Sequence, residues 1–110
     1  MKFKFKISDL NLDLMITVLS QFIGSHRATD IRSHVEFEIL KEILSELIRK
    51  QASDRPETKV TWSHYQAIVF FYLVNPYIQN CTLSFLQTIN NRIHQEIIIN
   101  VPLYKTELQP

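Results

Sequence analysis

Few residues of this chain could do chemistry, and Arg27 and His34 are the pair best suited to it, with six residues between them. An Arg guanidinium can hold a phosphate, and a His imidazole can transfer a proton near neutral pH. His34 is also followed by Glu38 and Glu42 at intervals of four, which puts all three on one side of a helix, where two could bind one metal ion. A third ligand would have to come from elsewhere, and the sequence offers no second cluster. We therefore favour a solvated helix face and expect no metal or other cofactor.

The spacing of Arg27 and His34 resembles the R-x4-6-H motif of HEPN ribonucleases, which are small helical bundles. The resemblance implies that Arg27 holds an RNA phosphate and that His34 assists proton transfer. Ala28 departs from the pattern, because the family usually has a polar residue after its Arg. A chain with five Arg and four His also meets this spacing easily by chance. We predict that the protein is not an enzyme, and a ribonuclease is the least favoured hypothesis.

A second resemblance lies between Val60 and Ile97, which is similar to the DNA-binding core of winged-helix repressors. It implies a helix from His64 to Val74, a second helix over 82–89, a turn at Asn90-Asn91, and a further helical segment from Arg92 to Ile97. Asn tolerates the left-handed conformation that such a turn needs. The implied function is a helix-turn-helix regulator that binds nucleic acid.

The same stretch departs from the helix-turn-helix pattern in detail. The pattern favours a small residue where Leu86 stands, and apolar residues where Asn91 and Glu96 stand. The segment implied to read DNA carries one base, Arg92, whereas phosphate contacts usually need several Lys or Arg. We favour two consecutive bundle helices here and keep the nucleic-acid-binding regulator as the alternative function.

The start of the chain alternates Lys with Phe or Ile from Lys2 to Ile7. This period of two is typical of a strand with one wet face, and Lys residues discourage unwanted pairing at a sheet edge. Interleaved Lys and Phe could also stack nucleic-acid bases. An edge strand with its Phe side chains inward and its Lys side chains outward needs no ligand, and we favour it.

No Asp, Glu, Lys or Arg occurs from Val60 to Asn91, although 21% of the chain is charged. Residues 67–74, at the centre of this segment, are apolar all round, and such a helix must be buried on every side. It is either the central helix of the fold or partly covered by another molecule. Charge-poor surfaces rich in aromatics suit protein–protein contact. The predicted partner-binding residues are Trp62, Tyr65, Phe70, Phe71, Tyr72 and Tyr77.

Helical periodicity predicts the elements that position these residues. A first helix follows a cap at Ser8 or Asp9, and Gly24 stands where a left-handed C-cap would end it. A second helix runs from about Ser33 to Gln51. Its apolar stripe consists of Phe37, Leu40, Ile43, Leu44, Leu47 and Ile48.

The third helix follows a polar loop over 52–59. Thr61 or Ser63 can cap its start. We predict its end at Asn75, because Pro76 disfavours helical geometry in the residue before it.

The apolar periodicity in the last part of the chain predicts a fourth helix from about Cys81 to Ile97. Residues 98–104 could form a strand that pairs with the strand near 2–7. The predicted fold is therefore mainly α, a compact bundle of about four helices that forms a single domain over 1–110, with a short terminal β element near 2–7, near 98–104, or both.

Composition limits the possible functions further. The net charge of +1 is too small to predict nucleic acid as a partner, and one Gly excludes glycine-dependent phosphate loops. The single Cys81 excludes an intrachain disulfide, and the chain start lacks the apolar region of a signal peptide. We expect a cytoplasmic protein without a membrane span. Our leading hypothesis is a non-enzymatic interaction module that forms a homodimer, or that regulates or inhibits a larger protein.

Overall fold

A computed structural model describes residues 2–53, 55–78 and 84–100. Within them, the predicted mainly α fold with a small β element at the N-terminus is confirmed, and the buried residues form one hydrophobic core. The elements in chain order are β1 (Lys2–Ser8), α1 (Asp9–Ser25), α2 (Ile31–Gln51), β2 (Glu57–Ser63), α3 (His64–Ile78), α4 (Ser84–Glu96) and a short 3-10 turn (Ile98–Asn100).

The two strands form an antiparallel sheet in which Phe3 lies opposite Trp62. The predicted strand near 2–7 is confirmed. The predicted loop over 52–59 is wrong at its end, because residues 57–59 already belong to β2. Thr58, Val60 and Trp62 alternate inward along β2, so its pattern has the period of a strand.

The possible strand near 98–104 is not formed in the part of it that the structure describes. The partner of β1 is β2, and residues 98–100 form the 3-10 turn instead of a strand. Residues 101–104 lie outside the described residues, as does Cys81. The predicted fourth helix is present as α4.

At each outer edge of the sheet, a basic side chain from a neighbouring helix binds one backbone carbonyl. Arg92 Nη2 donates to the Lys4 carbonyl oxygen at 2.9 Å, and Lys50 Nζ donates to the Lys59 carbonyl oxygen at 2.8 Å. These two carbonyls point away from the partner strand. Since outward backbone groups are what an aggregating strand would pair with, the two contacts protect the edges.

Side-chain caps begin each of the first three helices. Ser8 Oγ accepts from the Asn11 backbone N–H at 3.2 Å, as predicted for the start of α1. Asp30 and Ser33 cap α2 reciprocally, so that helix begins at Ile31, before the predicted Ser33. At α3, Ser63 Oγ accepts from the Gln66 N–H while Gln66 Oε1 accepts from the Ser63 N–H, which completes a capping box.

Two helices continue past the residues predicted to end them. Gly24 lies inside the last turn of α1, which runs to Ser25, so the predicted left-handed cap is wrong. Pro76 lies inside α3. Tertiary contacts hold this last turn: Asn75 Oδ1 accepts from Asn90 Nδ2 at 2.9 Å, and the Tyr77 ring meets the Phe22 ring edge-on at 6.0 Å.

The central helix of the fold is α3, which contacts both strands and the other three helices. Its Ala67, Val69, Phe70 and Val74 are buried. The sheet supports it through Trp62, whose ring centroid lies 4.9 Å from that of Phe70. The sequence left open whether this apolar helix is the central helix of the fold or is covered by another molecule. The structure shows that it is the central helix and that the chain's own core covers most of its apolar side chains.

Trp62 has the largest side chain among the fully buried residues, so its truncation should leave a large cavity. We expect Trp62→Ala to lower the free energy of unfolding by about 3–5 kcal/mol, measured by urea denaturation. Tyr65→Ala, which removes an exposed aromatic from the next element, should change it by about 0.5 kcal/mol or less. Similar losses in the two variants would contradict the burial of Trp62.

The cap of α2 should make stability depend on pH. The Ser33 backbone N–H, and then its hydroxyl, hold the pKa of Asp30 below its usual value. The stabilisation by this carboxylate is therefore complete above its unfolded pKa, near about 4, and is lost as the pH falls through the lower folded pKa. Asp30→Asn keeps a capping oxygen without the charge. The difference in free energy of unfolding between wild type and this variant should shrink between about pH 5 and pH 2; a constant difference in urea titrations would contradict this.

Candidate partner-binding surface

The six predicted partner-binding residues do not lie on one surface. Trp62 and Phe70 are fully buried inside the chain's own core. They cannot touch a partner while the chain is folded, because their side chains are covered by the sheet and by α3 itself. A partner could meet only the four others, which are exposed or half-buried.

Tyr65 and Tyr72 form a ridge along α3. They are 56% and 38% exposed and are separated by two helical turns, about 10 Å along the axis. Ile68 lies half-buried between them. On the α4 side, the half-buried Phe71 ring lies 5.7 Å from the His94 ring. No Asp, Glu, Lys or Arg occurs from Tyr65 to Tyr72, so the ridge itself carries no charged side chain.

Tyr77 lies on another side of α3, against the C-terminal part of α1. Its ring packs on Phe22, and its hydroxyl lies 3.5 Å from Gln21 Oε1, to which it donates. The Phe22 ring also stacks on His26 at 4.1 Å and lies 6.1 Å from Phe37. Tyr77 thus helps to close the end of the α1–α2–α3 packing and is not part of the ridge.

The N-terminal half of α2 adds two exposed apolar residues that sequence reasoning missed. Ile31 is 83% and Val35 48% exposed, and the half-buried Ile39 follows at the same interval of four. Glu42 shares this side of α2, and its Oε1 accepts from Gln66 Nε2 of α3 at 3.1 Å. This side is therefore turned toward α3. The sequence pattern that could have revealed this side is the series Ile31, Val35 and Ile39, which lies beside the main apolar stripe of α2.

We call these two neighbouring helix sides the α2–α3 surface. Its apolar part has two ion pairs near it on α2: the exposed pair Glu38 with Lys41 at 3.3 Å, and Arg32 with the largely buried Glu36 at 4.0 Å. Exposed pairs of this kind contribute little to stability. An apolar centre with a polar border is the usual anatomy of a protein–protein interface. The residues of the surface are Ile31, Val35, Ile39, Tyr65, Ile68 and Tyr72.

The candidate chemical residues lie apart from this arrangement. Arg27 lies in the connection between α1 and α2, and His34 lies in the first turn of α2. Both are exposed, and in the described part of the chain no hydrogen bond joins them. Glu38 pairs with Lys41, and the ranges described contain no group of three or more His, Cys, Asp or Glu that could hold a metal ion.

The turn implied by the winged-helix resemblance is wrong, because α4 continues through Asn90 and Asn91 as one helix. Asn90 is buried and donates to Asn75 across the α3–α4 contact, which fixes it inside the fold. Arg92, implied to contact DNA, binds the Lys4 carbonyl and Glu96, and lies 4.9 Å from the centre of the Phe3 ring. Its guanidinium therefore joins α4 to the sheet.

Comparison with protein-family models, curated proteins and solved structures gives no match. Among the described residues, no helix is long and apolar enough to cross a bilayer. What the exposed surfaces do has to be inferred from their own geometry and chemistry.

The buried amide pair between α3 and α4 can be tested directly. Asn90→Ala leaves the Asn75 amide without its partner, and we expect the free energy of unfolding to fall by about 1 kcal/mol. Asn91→Ala, at the exposed neighbouring position, should change it by about 0.5 kcal/mol or less. Urea titrations that gave the two variants equal stability would contradict a continuous α4 with Asn90 inward.

Proposed function

We propose that the chain is a non-enzymatic protein-interaction module that binds a second copy of itself through the α2–α3 surface. One observation carries the proposal: Ile31 and Val35 of α2 and Tyr65 and Tyr72 of α3 are exposed on neighbouring helix sides. Single exposed apolar residues are normal on proteins. A group of them on two adjoining helices is typical of a binding surface.

The chemistry of the surface suits a symmetric dimer. A two-fold axis brings the same patch of each copy together, so the patch must tolerate itself. Its six defining residues carry no charge, and Glu42 on the same side of α2 is already hydrogen-bonded to Gln66, so two copies can meet through their apolar side chains without burying an unpaired ion. Tyr is enriched among the residues that contribute most to binding, because it buries a large ring and keeps a hydroxyl for hydrogen bonding.

The partner of this surface can also be a larger protein that the chain regulates or inhibits. The same apolar centre and charged border on α2 support that form of the proposal. We place the protein in the cytoplasm, where its single cysteine, Cys81, needs no disulfide partner. In this form, Val35→Glu should abolish capture of the larger protein by the immobilised chain, while Leu10→Glu should leave capture unchanged.

Self-association should depend on Val35 and Tyr72. We expect Val35→Glu and Tyr72→Glu each to weaken dimerisation at least about tenfold, because each places a charge in the buried centre. Molar mass from light scattering across a concentration series measures the effect. Leu10→Glu is the matched control, since Leu10 is a 70% exposed apolar residue of α1 outside the surface.

Three outcomes decide the matter. A wild-type dimer that Leu10→Glu preserves and the two surface variants dissociate supports the proposal. A wild-type chain that stays monomeric at every concentration contradicts self-association. A dimer that all three variants retain would mean that the copies meet elsewhere.

A further inference from the structure

A second surface, made of charged residues, lies on the outward face of the sheet. Along β1, Phe3, Phe5 and Ile7 point into the core, so the alternate Lys side chains point outward. Neighbours on one face of a strand are about 7 Å apart. Lys4 and Lys6, together with Lys59 of β2, are the charged residues that line a shallow depression of about 410 Å³. We define the lysine face as Lys2, Lys4, Lys6 and Lys59.

Two of these lysines stand directly opposite each other, Lys6 on β1 and Lys59 on β2. The Lys59 carbonyl points out of the ladder, toward Lys50, so this pair is of the non-hydrogen-bonded type. In such pairs the Cα atoms are only about 4.5 Å apart and the side chains are close. Like charges directly opposite each other destabilise a sheet. We therefore expect repulsion between the ammonium groups of Lys6 and Lys59 to lower the stability of the sheet.

The two hydrogen bonds that protect carbonyls at the sheet edges do not involve the side chains of the lysine face. The outward carbonyls of Lys4 and Lys59 are already bound by Arg92 and Lys50. The lysine side chains stand on the face of the sheet, where they add nothing to those contacts. An anionic ligand across the face would remove the repulsion between Lys6 and Lys59.

The positive surface continues from the lysine face to the C-terminal end of α2. A second depression, of about 540 Å³, shares Lys59 with the first and is also lined by Arg49, Lys50 and Arg55. Among the described residues that line the two depressions, Glu57 is the one carboxylate. Of the four ion pairs in the described ranges, only Arg49 with Glu46 involves this surface. The seven cations, more than half of the twelve in the chain, are Lys2, Lys4, Lys6, Arg49, Lys50, Arg55 and Lys59.

We propose that this cationic surface binds the phosphate backbone of double-stranded DNA without regard to sequence, a function separate from the self-association proposed above. Lys and Arg side chains neutralise phosphates and release the counterions condensed on DNA, which supplies the sequence-independent part of DNA binding. The small net charge of the chain does not reveal this surface, because the eleven Asp and Glu residues of the sequence offset its cations in the total.

The composition of the face argues for a duplex as the ligand. Proteins that bind single strands stack bases on exposed aromatics, whereas Phe3, Phe5 and Trp62 all point into the core. In a duplex the bases are already stacked and the phosphates face outward. A membrane surface fits less well, because peripheral binding combines basic residues with exposed apolar side chains, and Lys2, Lys4, Lys6 and Lys59 have none beside them on this face.

The test is a titration of the full chain with two fluorescent DNA duplexes of unrelated sequence at several salt concentrations. We expect both to bind equally at low salt, with log K falling linearly as log salt rises. Lys6→Gln with Lys59→Gln removes two phosphate contacts, so the magnitude of the slope should drop by about 1.8. The matched control, Arg32→Gln with Lys41→Gln, also removes two cations of α2, both outside the cationic surface, and should leave the slope unchanged.

Circular dichroism and a urea titration show whether the variants are folded. The double lysine variant should be at least as stable as wild type, because it removes the repulsion across the strands. If it fails to fold, Lys2→Gln with Lys4→Gln replaces it, with the same expected drop in slope.

Four results would overturn the proposal. The first is no binding to either duplex at about 25 mM salt, where phosphate contacts are strongest, and the second is an equal salt slope for the lysine variant and its control. The third is tighter binding to single-stranded DNA or duplex RNA of equal length, and the fourth is binding to phosphatidylserine vesicles without binding to DNA.

Discussion

The rest of the structure depends on the burial of α3. A helix that is apolar on nearly every side is stable in water only if other elements cover it, and in a chain of 110 residues every element has to contribute. The sheet covers one side of α3 through Trp62, whose ring centroid lies 5.0 Å from that of Phe5 and 4.9 Å from that of Phe70. The helices α1, α2 and α4 contact it on the remaining sides, and Tyr65 and Tyr72 are the two most exposed of its large apolar side chains.

This constraint also separates the apolar from the charged surface. Because side chains alternate along a strand, turning Phe3 and Phe5 toward α3 forces the intervening lysines onto the opposite face. The register with β2 then places Lys59 opposite Lys6. The concentration of positive charge is thus a consequence of how the sheet supports α3, together with the choice of Lys at nearly every outward position of β1.

The longest element, α2, connects the two surfaces. Its 21 residues span about 30 Å. Ile31 and Val35 are exposed near its start, whereas Arg49 and Lys50 at its end help to line the depression beside β2. The α2 residues of the two surfaces therefore lie near opposite ends of the same helix, while Tyr65 of the α2–α3 surface lies two residues after Ser63, the residue paired with Lys2 in the sheet.

The sequence by itself determined the elements whose signals are local: the alternation of β1, the apolar stripe of α2, the Ser8 cap and the need to bury residues 67–74. The tertiary structure decided what depends on distant residues. It selected β2 as the partner of β1, carried α3 through Pro76 by contacts with α1 and α4, and buried Trp62 and Phe70, two of the six predicted binding residues. It also left Ile31 and Val35 exposed on the side of α2 that carries Glu42, and gathered the lysines of β1 with Lys59. A side chain's type shows that it is suited to burial or to binding, but whether another part of the same chain covers it depends on how the elements pack.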